Sequence, residues 1–390
     1  MTHKSYIFVV EMSSCHLKIM MAILMMISGC GRDAGNVAPA PMSITATLAG
    51  ADTEGYVRVY EPRLLRFPAD HGSHAEYKNE WWYFTGNLTA KGGRDFGFQF
   101  TLFRYAVAPH MPASSSAWAT NQVYLAQVAL SDINKGEYHA DERFGRGAMA
   151  VAGVADNPFR AWLDDWTVSA DAAACGDCFT VNIKAAASGF RLRLHLNNTR
   201  PAVLHGDRGF SRKSPAPGNA SYYYSYTRMS ASGEIALNGV VYDVAGQAWF
   251  DHEWSTFSLE PDQSGWDWFS LQLSNRSELM VFRLRNRDDP DKDYYYGSLI
   301  HPDGAFESLH KSDLRLSPLT AWNSGASGVS YPLTWQLELP GKTLSLLIRP
   351  RMANQEMNRS FRYWEGAIRA DGKLSGKELT GTGYMELTGY

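Results

Sequence analysis

The sequence has no excess of charge of either sign. Its 37 Lys and Arg residues almost balance its 40 Asp and Glu residues, which gives a formal net charge of −3. No stripe of basic residues interleaves with aromatic ones, as nucleic-acid binding would require, so no nucleic-acid partner is expected. The largest group of charges, Arg283 to Asp293, alternates in sign and predicts a solvated loop.

Two catalytic motifs are also missing. The chain contains no G-x-S-x-G sequence, so nothing in it indicates a serine hydrolase. The segment His71-Gly-Ser-His74-Ala-Glu76 carries metal-ligand side chains, but it lacks the H-E-x-x-H spacing and is loop-like. We therefore expect a loop held by hydrogen bonds between histidines and carboxylates, with no metal and no cofactor.

Long amphipathic helices are absent, and strand patterns take their place. Phe96 to Leu102 alternates apolar and polar side chains, and Tyr124 to Leu130 reads as another strand. A short helix is predicted only at Ser308 to Leu316. Turns between strands are predicted at residues 231–234, 302–304 and 370–373. With 390 residues and 34 glycines, the chain fits an all-β protein of two domains.

Cysteine is scarce, and one of the four cysteines follows an N-terminal apolar run. The run from Ile19 to Ile27 is too short to cross a bilayer but has the length of a signal-peptide core. It leads into Ile-Ser-Gly-Cys30, which matches the lipobox of bacterial lipoproteins, and Gly31 favours sorting to the outer membrane, facing the periplasm. We predict a lipoprotein signal peptide over residues 1–30, lipidation at Cys30 and a flexible tether over residues 31–55. An ordinary cleaved signal peptide is the alternative.

The other notable cysteines form the sequence Cys175-Gly-Asp-Cys178. A thioredoxin-like site needs a helix after its first cysteine, whereas a strand pattern, Phe179 to Ile183, follows here. Gly-Asp has the composition of a hairpin turn. In an oxidising periplasm, we expect Cys175 and Cys178 to form a disulfide that closes this turn.

A strand rich in aromatic residues carries one acidic side chain, Glu80. Alternation places Glu80, Trp82 and Phe84 on one face of this strand, and Trp81 and Tyr83 on the other. A carboxylate is costly to bury beside two large aromatics unless it has a partner or a function. Packing of a β core accounts for the aromatics, but it does not account for Glu80.

A second aromatic strand, Trp249 to Trp254, contains three ionisable residues. Alternation places His252 with Trp254 on one face, and Asp251 with Glu253 on the other. Inside a barrel wall these groups would have shifted pKa values and could act as general acids or bases. If one face of the strand is solvated, Asp251 and Glu253 are ordinary surface carboxylates without a catalytic role. This interpretation is favoured for Glu253, whereas for His252 a functional and a purely structural role both stay open.

Residues 231–252 and 370–387 share a short pattern that suggests two similar halves. In each, a Gly-containing segment leads into a second strand that starts with Gly and has an aromatic residue at its fourth position. Shared hairpin composition is the alternative explanation. The two copies differ where Asp251-His252-Glu253 stands against Glu386-Leu387-Thr388.

Glu80-Trp81-Trp82-Tyr83, followed by Thr85 to Leu88, resembles the opening signature of the AttH/carotenoid 1,2-hydratase family. Further motifs of that family follow in order over nearly the whole mature chain: Tyr222 to Met229, Ala248 to Trp254, Gly265 to Leu273, Tyr363 to Ala367, and Gly383 to Tyr390. The resemblance implies two lipocalin-like (calycin) β-barrels in tandem, which we place at residues 56–257 and 258–390.

In the hydratases of this family, an acid protonates an isoprenoid alkene and water captures the cation. His252 and Trp254 match the family's His-x-Trp, but the hydratases' acidic partner on the next strand has no clear counterpart. The match is closer to the AttH branch, whose members are lipoproteins or secreted proteins often linked with ABC permeases. An ABC transporter permease is therefore a predicted partner.

Hydration of an alkene needs a dry acid and an aromatic cage for the carbocation. Desolvation would keep Asp251 or Asp267 neutral as that acid, and His252 is the third candidate catalytic residue. The predicted ligand-binding residues are Glu80, Trp82, Tyr223, Trp249, Trp254, Trp266 and Trp268. The same set suits binding without a reaction, so we predict an envelope lipoprotein that binds a hydrophobic or amphipathic small molecule, with a hydratase-like enzyme as the alternative.

Overall fold

The computed structural model describes residues 53–171, 178–257 and 259–390. The predicted signal peptide, Cys30, most of the tether and Cys175 lie outside these residues, so the Cys175–Cys178 disulfide stays a prediction. In the described ranges, the helices are short 3₁₀ turns, and none has the length and apolarity needed to span a bilayer.

Within the described residues, thirteen antiparallel strands form the first sheet. They are β1 (Asn79–Ala90), β2 (Asp95–Ala106), β3 (Gln122–Asp132), β4 (Glu137–Arg146), β5 (Ala152–Asp156), β6 (Phe159–Leu163), β7 (Trp166–Ala170), β8 (Thr180–Ala187), β9 (Phe190–Asn198), β10 (Val203–Leu204), β11 (Phe210–Arg212), β12 (Ala220–Leu237) and β13 (Val240–Ser255). The strands follow the order β4-β3-β2-β1-β13-β12-β9-β8-β7-β6-β5, and β10 and β11 pair with β12.

Ten further strands of the described chain form the second sheet. They are β14 (Gln263–Leu273), β15 (Glu278–Asn286), β16 (Tyr294–Ile300), β17 (Phe306–His310), β18 (Arg315–Asn323), β19 (Ser330–Leu339), β20 (Leu344–Pro350), β21 (Glu356–Asn358), β22 (Arg362–Leu374) and β23 (Lys377–Leu387). Their order is β17-β16-β15-β14-β23-β22-β20-β19-β18, and β21 pairs with β22.

The two sheets share one plan, because each begins with a four-strand meander and then returns to a long hairpin at its centre. The hairpin β12–β13 occupies the place in the first sheet that β22–β23 occupies in the second. This correspondence agrees with the repeat in the sequence, and the all-β prediction of two lipocalin-like barrels is confirmed.

Two of the predicted turns and the predicted helix are wrong. Residues 231–234 and 370–373 lie inside β12 and β22, whereas the hairpin turns come later, before Val240 and Lys377. Gly233 and Gly372 are needed for close strand approach: a Cβ would lie 2.1 Å from the Arg193 carbonyl oxygen and 1.9 Å from that of Ser345, respectively. The segment 308–316 is not a helix, because it contains the end of β17 and the start of β18.

Both faces of the central strands β1 and β13 are buried. One face contributes Trp82 and Phe250 to the core inside the first sheet. The opposite face contributes Tyr83 and Trp249 to a second cluster, which also contains Trp268 of the second sheet. Strand alternation therefore separates two apolar environments here, not a core from solvent.

Candidate functional site

A cavity of about 290 Å³ lies between the two sheets. Its walls are largely aromatic, and besides Glu80 four acidic residues line it: Asp251, Glu253, Glu365 and Glu386. The first two come from β13 and the other two from β22 and β23, the corresponding hairpin strands of the two sheets. The cavity therefore joins the repeated elements of both halves.

Asp251 is a buried acid with three hydrogen-bond donors around it. It accepts hydrogen bonds from the Tyr223 hydroxyl (2.8 Å), from the Trp249 indole N–H (2.6 Å) and from the Ser225 hydroxyl. Burial raises the pKa of Asp251, the three donors lower it in part, and the nearby Glu253 raises it again, to about 7. Asp251 therefore holds a proton for much of the time at neutral pH.

Glu365 and Glu386 are direct cross-strand partners on β22 and β23. Glu365 is 2% exposed, whereas Glu386 is half-buried where it faces the cavity. Burial and then the negative charge of Glu386 raise the pKa of Glu365 well above its ordinary value. Burial raises the pKa of Glu386 to about 8, although the Trp266 indole lowers it in part. The second barrel thus adds two further neutral acids at physiological pH.

Glu253 forms a buried ion pair with Lys213, with 2.6 Å between the Nζ and Oε1 atoms. The ammonium group also lies over the rings of Phe282 (4.6 Å) and Tyr223 (5.2 Å). The expectation that Glu253 is an ordinary solvated residue is wrong, because the second sheet covers its face of β13. Lys213 precedes β12 in an irregular segment, and no sequence pattern points to it.

The predicted aromatic cage is only partly assembled around the cavity. Tyr223, Trp266 and Trp268 line it, and the Trp268 indole donates a hydrogen bond to the Tyr223 hydroxyl (3.2 Å). Trp249 packs edge-on against Trp268, with ring centroids 6.2 Å apart, and its indole N–H donates the hydrogen bond to Asp251 described above. Tyr83, which is not among the predicted ligand-binding residues, belongs to the same wall.

His252, Trp82 and Trp254 lie on the opposite face of the sheet, inside the first barrel. The His252 ring stacks on Trp82 and contacts Trp254, with centroids 4.8 Å apart in both cases. Its Nε2 atom lies 3.0 Å from Glu80, which also pairs with Arg104 at 2.7 Å. Asp251 and His252 therefore point to opposite faces of β13, as strand alternation predicts, and His252 does not contact the Asp251 carboxyl group.

Glu80 is the centre of this inner network and is fully buried. Burial would raise the pKa of Glu80, but the Arg104 charge and hydrogen bonds from His252 and His74 hold it well below its ordinary value. Burial lowers the pKa of His252 to about 4, so this ring is neutral. Glu80 thus has the partner that its burial requires, and its edge, with Arg104, reaches the cavity wall.

The loop before β1 is held as expected, by histidine–carboxylate contacts. His74 places Nδ1 2.7 Å from Glu80 and Nε2 3.0 Å from Asp70. Among the described residues, His74, Glu80 and His252 are the group with ligand atoms close enough for a metal ion. Those atoms already bind one another, and the Arg104 guanidinium occupies the other Glu80 oxygen.

Asp267 does not face the cavity and is fully buried in an ionic cluster. Arg283 lies 2.6 Å from Oδ2, Arg285 pairs with Oδ1, and the Tyr390 hydroxyl donates to Oδ1 at 2.6 Å. Both Asp267 oxygens are thus bound by guanidinium and hydroxyl groups outside the cavity, so Asp267 is not placed to act as the predicted acid there. The prediction of a solvated charged loop fails at its start, where Arg283 and Arg285 belong to β15.

Comparison with known proteins agrees with this architecture. Residues 58–390 match the model of the AttH-like family. A crystal structure of an AttH protein from Nitrosomonas europaea is 33% identical, with a TM-score of 0.75, over 86% of this chain and 99% of that one. No curated protein matches the chain.

Two more distant structures share the fold at 14% identity. Kievitone hydratase from Nectria haematococca has a TM-score of 0.64, over 86% of this chain and 96% of its own. CghA bound to Sch210972 has a TM-score of 0.53, over 85% and 94% of the two chains. On the match that spans residues 58–390, this chain belongs to the AttH-like family.

Proposed function

We propose that this protein binds a hydrophobic, alkene-bearing small molecule between its two barrels and adds water to it by acid catalysis. The observation that carries this proposal is the Asp251 carboxyl group at the aromatic wall of the cavity. Burial raises its pKa to about 7, which matches a general acid that works at neutral pH.

The reaction begins when Asp251 transfers its proton to one alkene carbon, which leaves a cation on the neighbouring carbon. The faces of Tyr223 and Trp268 stabilise that cation, because aromatic rings attract positive charge. Water then adds to the cation, and its surplus proton returns to the Asp251 carboxylate. The acid is regenerated, and the product is the alkene plus one water molecule.

The fold supports this proposal, since a hydratase is among the proteins that share it. A carrier without catalysis is the second candidate, favoured by the largely aromatic walls of the cavity. A carrier in the envelope would also suit the ABC transporter permease proposed as its partner. Product formation separates the two functions, because a carrier needs no proton transfer.

The test compares wild-type protein with Asp251→Asn, using geraniol and farnesol as probes in ¹⁸O-labelled water. Binding is followed by tryptophan fluorescence, and hydration by mass spectrometry. We expect Asp251→Asn to lose about 100-fold or more in product formation, because an amide cannot protonate carbon. Its affinity should stay within about tenfold of the wild type, since the shape is retained.

Asp243→Asn is the matched control, because Asp243 lies on the same strand but is largely exposed. Equal product from wild type and Asp251→Asn would remove Asp251 as the acid. Tight binding by both proteins without any product would identify a carrier. Absence of binding by the wild type would overturn the proposed function of the cavity.

A further inference from the structure

The Glu365–Glu386 pair is a second acidic feature of the cavity that the proposed reaction does not use. The two residues are directly opposite in the antiparallel register of β22 and β23, so their side chains leave the same face. Both line the cavity. Two carboxyl groups at cross-strand distance repel each other when ionised, so their close pairing needs a proton or another cation.

Within the part of the chain that the structure describes, no cationic side chain forms an ion pair with Glu365 or Glu386. The charged groups that shift the pKa values of Glu365 and Glu386 are all acidic. The hydroxyls of Tyr83 and Tyr363 lie close enough to lower the pKa of Glu365, but Oε1 of this carboxyl has no partner with hydrogen-bond geometry. A buried oxygen without a partner is costly, and because Glu365 lines the cavity, this oxygen can accept a hydrogen bond from a ligand there.

Another part of the cavity lining, around Glu253, shows how the cavity accommodates a positive charge. There, the Lys213 ammonium pairs with Glu253 at 2.6 Å and lies over the rings of Tyr223 and Phe282. Glu365 and Glu386 have the same kind of surroundings, with Tyr83, Trp266 and Trp268 in the adjoining walls, but no lysine. Acidic groups beside aromatic faces are a favourable site for an ammonium ion.

We propose that the Glu365–Glu386 pair binds the ammonium group of a hydrophobic amine, whose apolar part fills the aromatic cavity. This inference rests on the proposed function, in that it assigns a substrate class to the same cavity. It would place an amine at the wall formed by the second barrel, across from Asp251.

Binding of an amine must displace protons from this pair. Burial raises the pKa of Glu386 to about 8 and that of Glu365 above its ordinary value, so the free protein holds protons there at neutral pH. An ammonium ion favours the ionised form of the carboxyl pair. The affinity for the amine should therefore increase by about tenfold for each unit by which the pH is raised, up to about pH 8. The other titratable groups that face the pair are Asp251 and Glu253 on β13, Tyr83 on β1, Tyr138 on β4, Tyr363 on β22 and Tyr384 on β23.

The experiment uses geranylamine and geraniol, which differ only in the ammonium and hydroxyl groups. Calorimetric titration of the wild-type protein at pH 7.5 should show at least tenfold tighter binding of the amine. Titrations in buffers of different ionisation enthalpy should show proton release for geranylamine and none for geraniol. These measurements need no variant and so do not depend on how a substitution folds.

Variants then assign the effect to the pair. Glu365→Gln and Glu386→Gln should each remove most of the preference for the amine while retaining geraniol binding. Glu378→Gln is the control, because Glu378 lies on β23 with its side chain 80% exposed. The preference should survive in that variant.

Each outcome decides the proposal. Equal binding of amine and alcohol by the wild type would overturn the ammonium site while leaving the proposed function intact. Binding of neither probe would overturn both proposals. A preference for the amine that persists in folded Glu365→Gln and Glu386→Gln proteins would assign the cation to other residues, and this too would overturn the inference.

Discussion

His74 lies between two buried carboxylates, so its charge is linked to the stability of the loop before β1. Burial would lower its pKa, but hydrogen bonds to Asp70 and Glu80, together with their charges, raise it above the ordinary value of 6.5. Asp70 itself has its pKa lowered to about 2, despite burial, by His74 and the Arg66 backbone. A protonated imidazole is therefore preferred in the folded protein.

We expect stability to fall as pH rises through the folded pKa of His74. The folded pKa exceeds the unfolded one, so this contribution is fully present below about pH 6.5 and is lost above it. Urea unfolding at pH 6 and pH 8.5, for wild type and His74→Gln, measures the effect. The wild type should lose more stability over this interval, since the variant lacks the titrating ring.

Asp251 and Glu386 also lose protons in this range, but both proteins contain them, so their effect cancels in the comparison. An equal loss of stability in wild type and His74→Gln would show that His74 does not retain its proton on folding.

At the residue scale, the sequence predicted Asp251 as a candidate acid and Tyr223 and Trp268 as cage residues, and all three line the cavity. Lys213 was not predictable, since it comes from an irregular segment with no period to read. The sequence also could not show that Glu386 faces Asp251's cavity, because that proximity depends on packing between residues more than 130 positions apart. The repeat did place Glu386 at the position equivalent to Asp251.

At the scale of elements, the long hairpins β12–β13 and β22–β23 depend on glycines that allow strands to approach closely. A Cβ at position 372 would lie 1.9 Å from the Ser345 carbonyl oxygen, which is backbone and cannot rotate away. We expect Gly372→Ala to lower the free energy of unfolding by about 1–3 kcal/mol through this forced displacement.

Gly341→Ala is the control, because nothing lies within 4 Å of a Cβ at that position. The denaturation midpoint of the control should stay near that of the wild type. If Gly372→Ala were as stable as the control, β20 and β22 could move apart without loss of unfolding free energy, and the prediction would be wrong.

The two wrong turn predictions have one physical origin. Glycine was interpreted as a turn signal at positions 233 and 372, whereas the structure uses these residues inside long, closely packed strands. Turn composition and close-approach glycines look alike in a single sequence. Strand alternation was more reliable, because burial on both faces still obeys the period of two.

At the scale of the whole molecule, the attachment to the envelope that the sequence predicts would depend on Cys30, which lies outside the described residues. We expect Cys30→Ser to release the protein from membranes into the soluble fraction. A cysteine that carries more than one acyl chain anchors a protein stably in a membrane. If the protein were not lipidated at Cys30, the substitution would leave its location unchanged. Fractionation after a high-salt wash measures the change, and retention of Cys30→Ser in the membrane would contradict the prediction.

Strand β13 places His252 against Glu80 on one face and the carboxyl group of Asp251 against the cavity on the other. Deletion or insertion of one residue in β13 would move every side chain beyond it to the opposite face of the sheet. Residues of the inner network around Glu80 would then point into the cavity. Length changes in β1 and β13 should therefore be tolerated, if at all, in steps of two. A single substitution, which keeps both faces in place, can therefore change the chemistry of the cavity without moving the inner network.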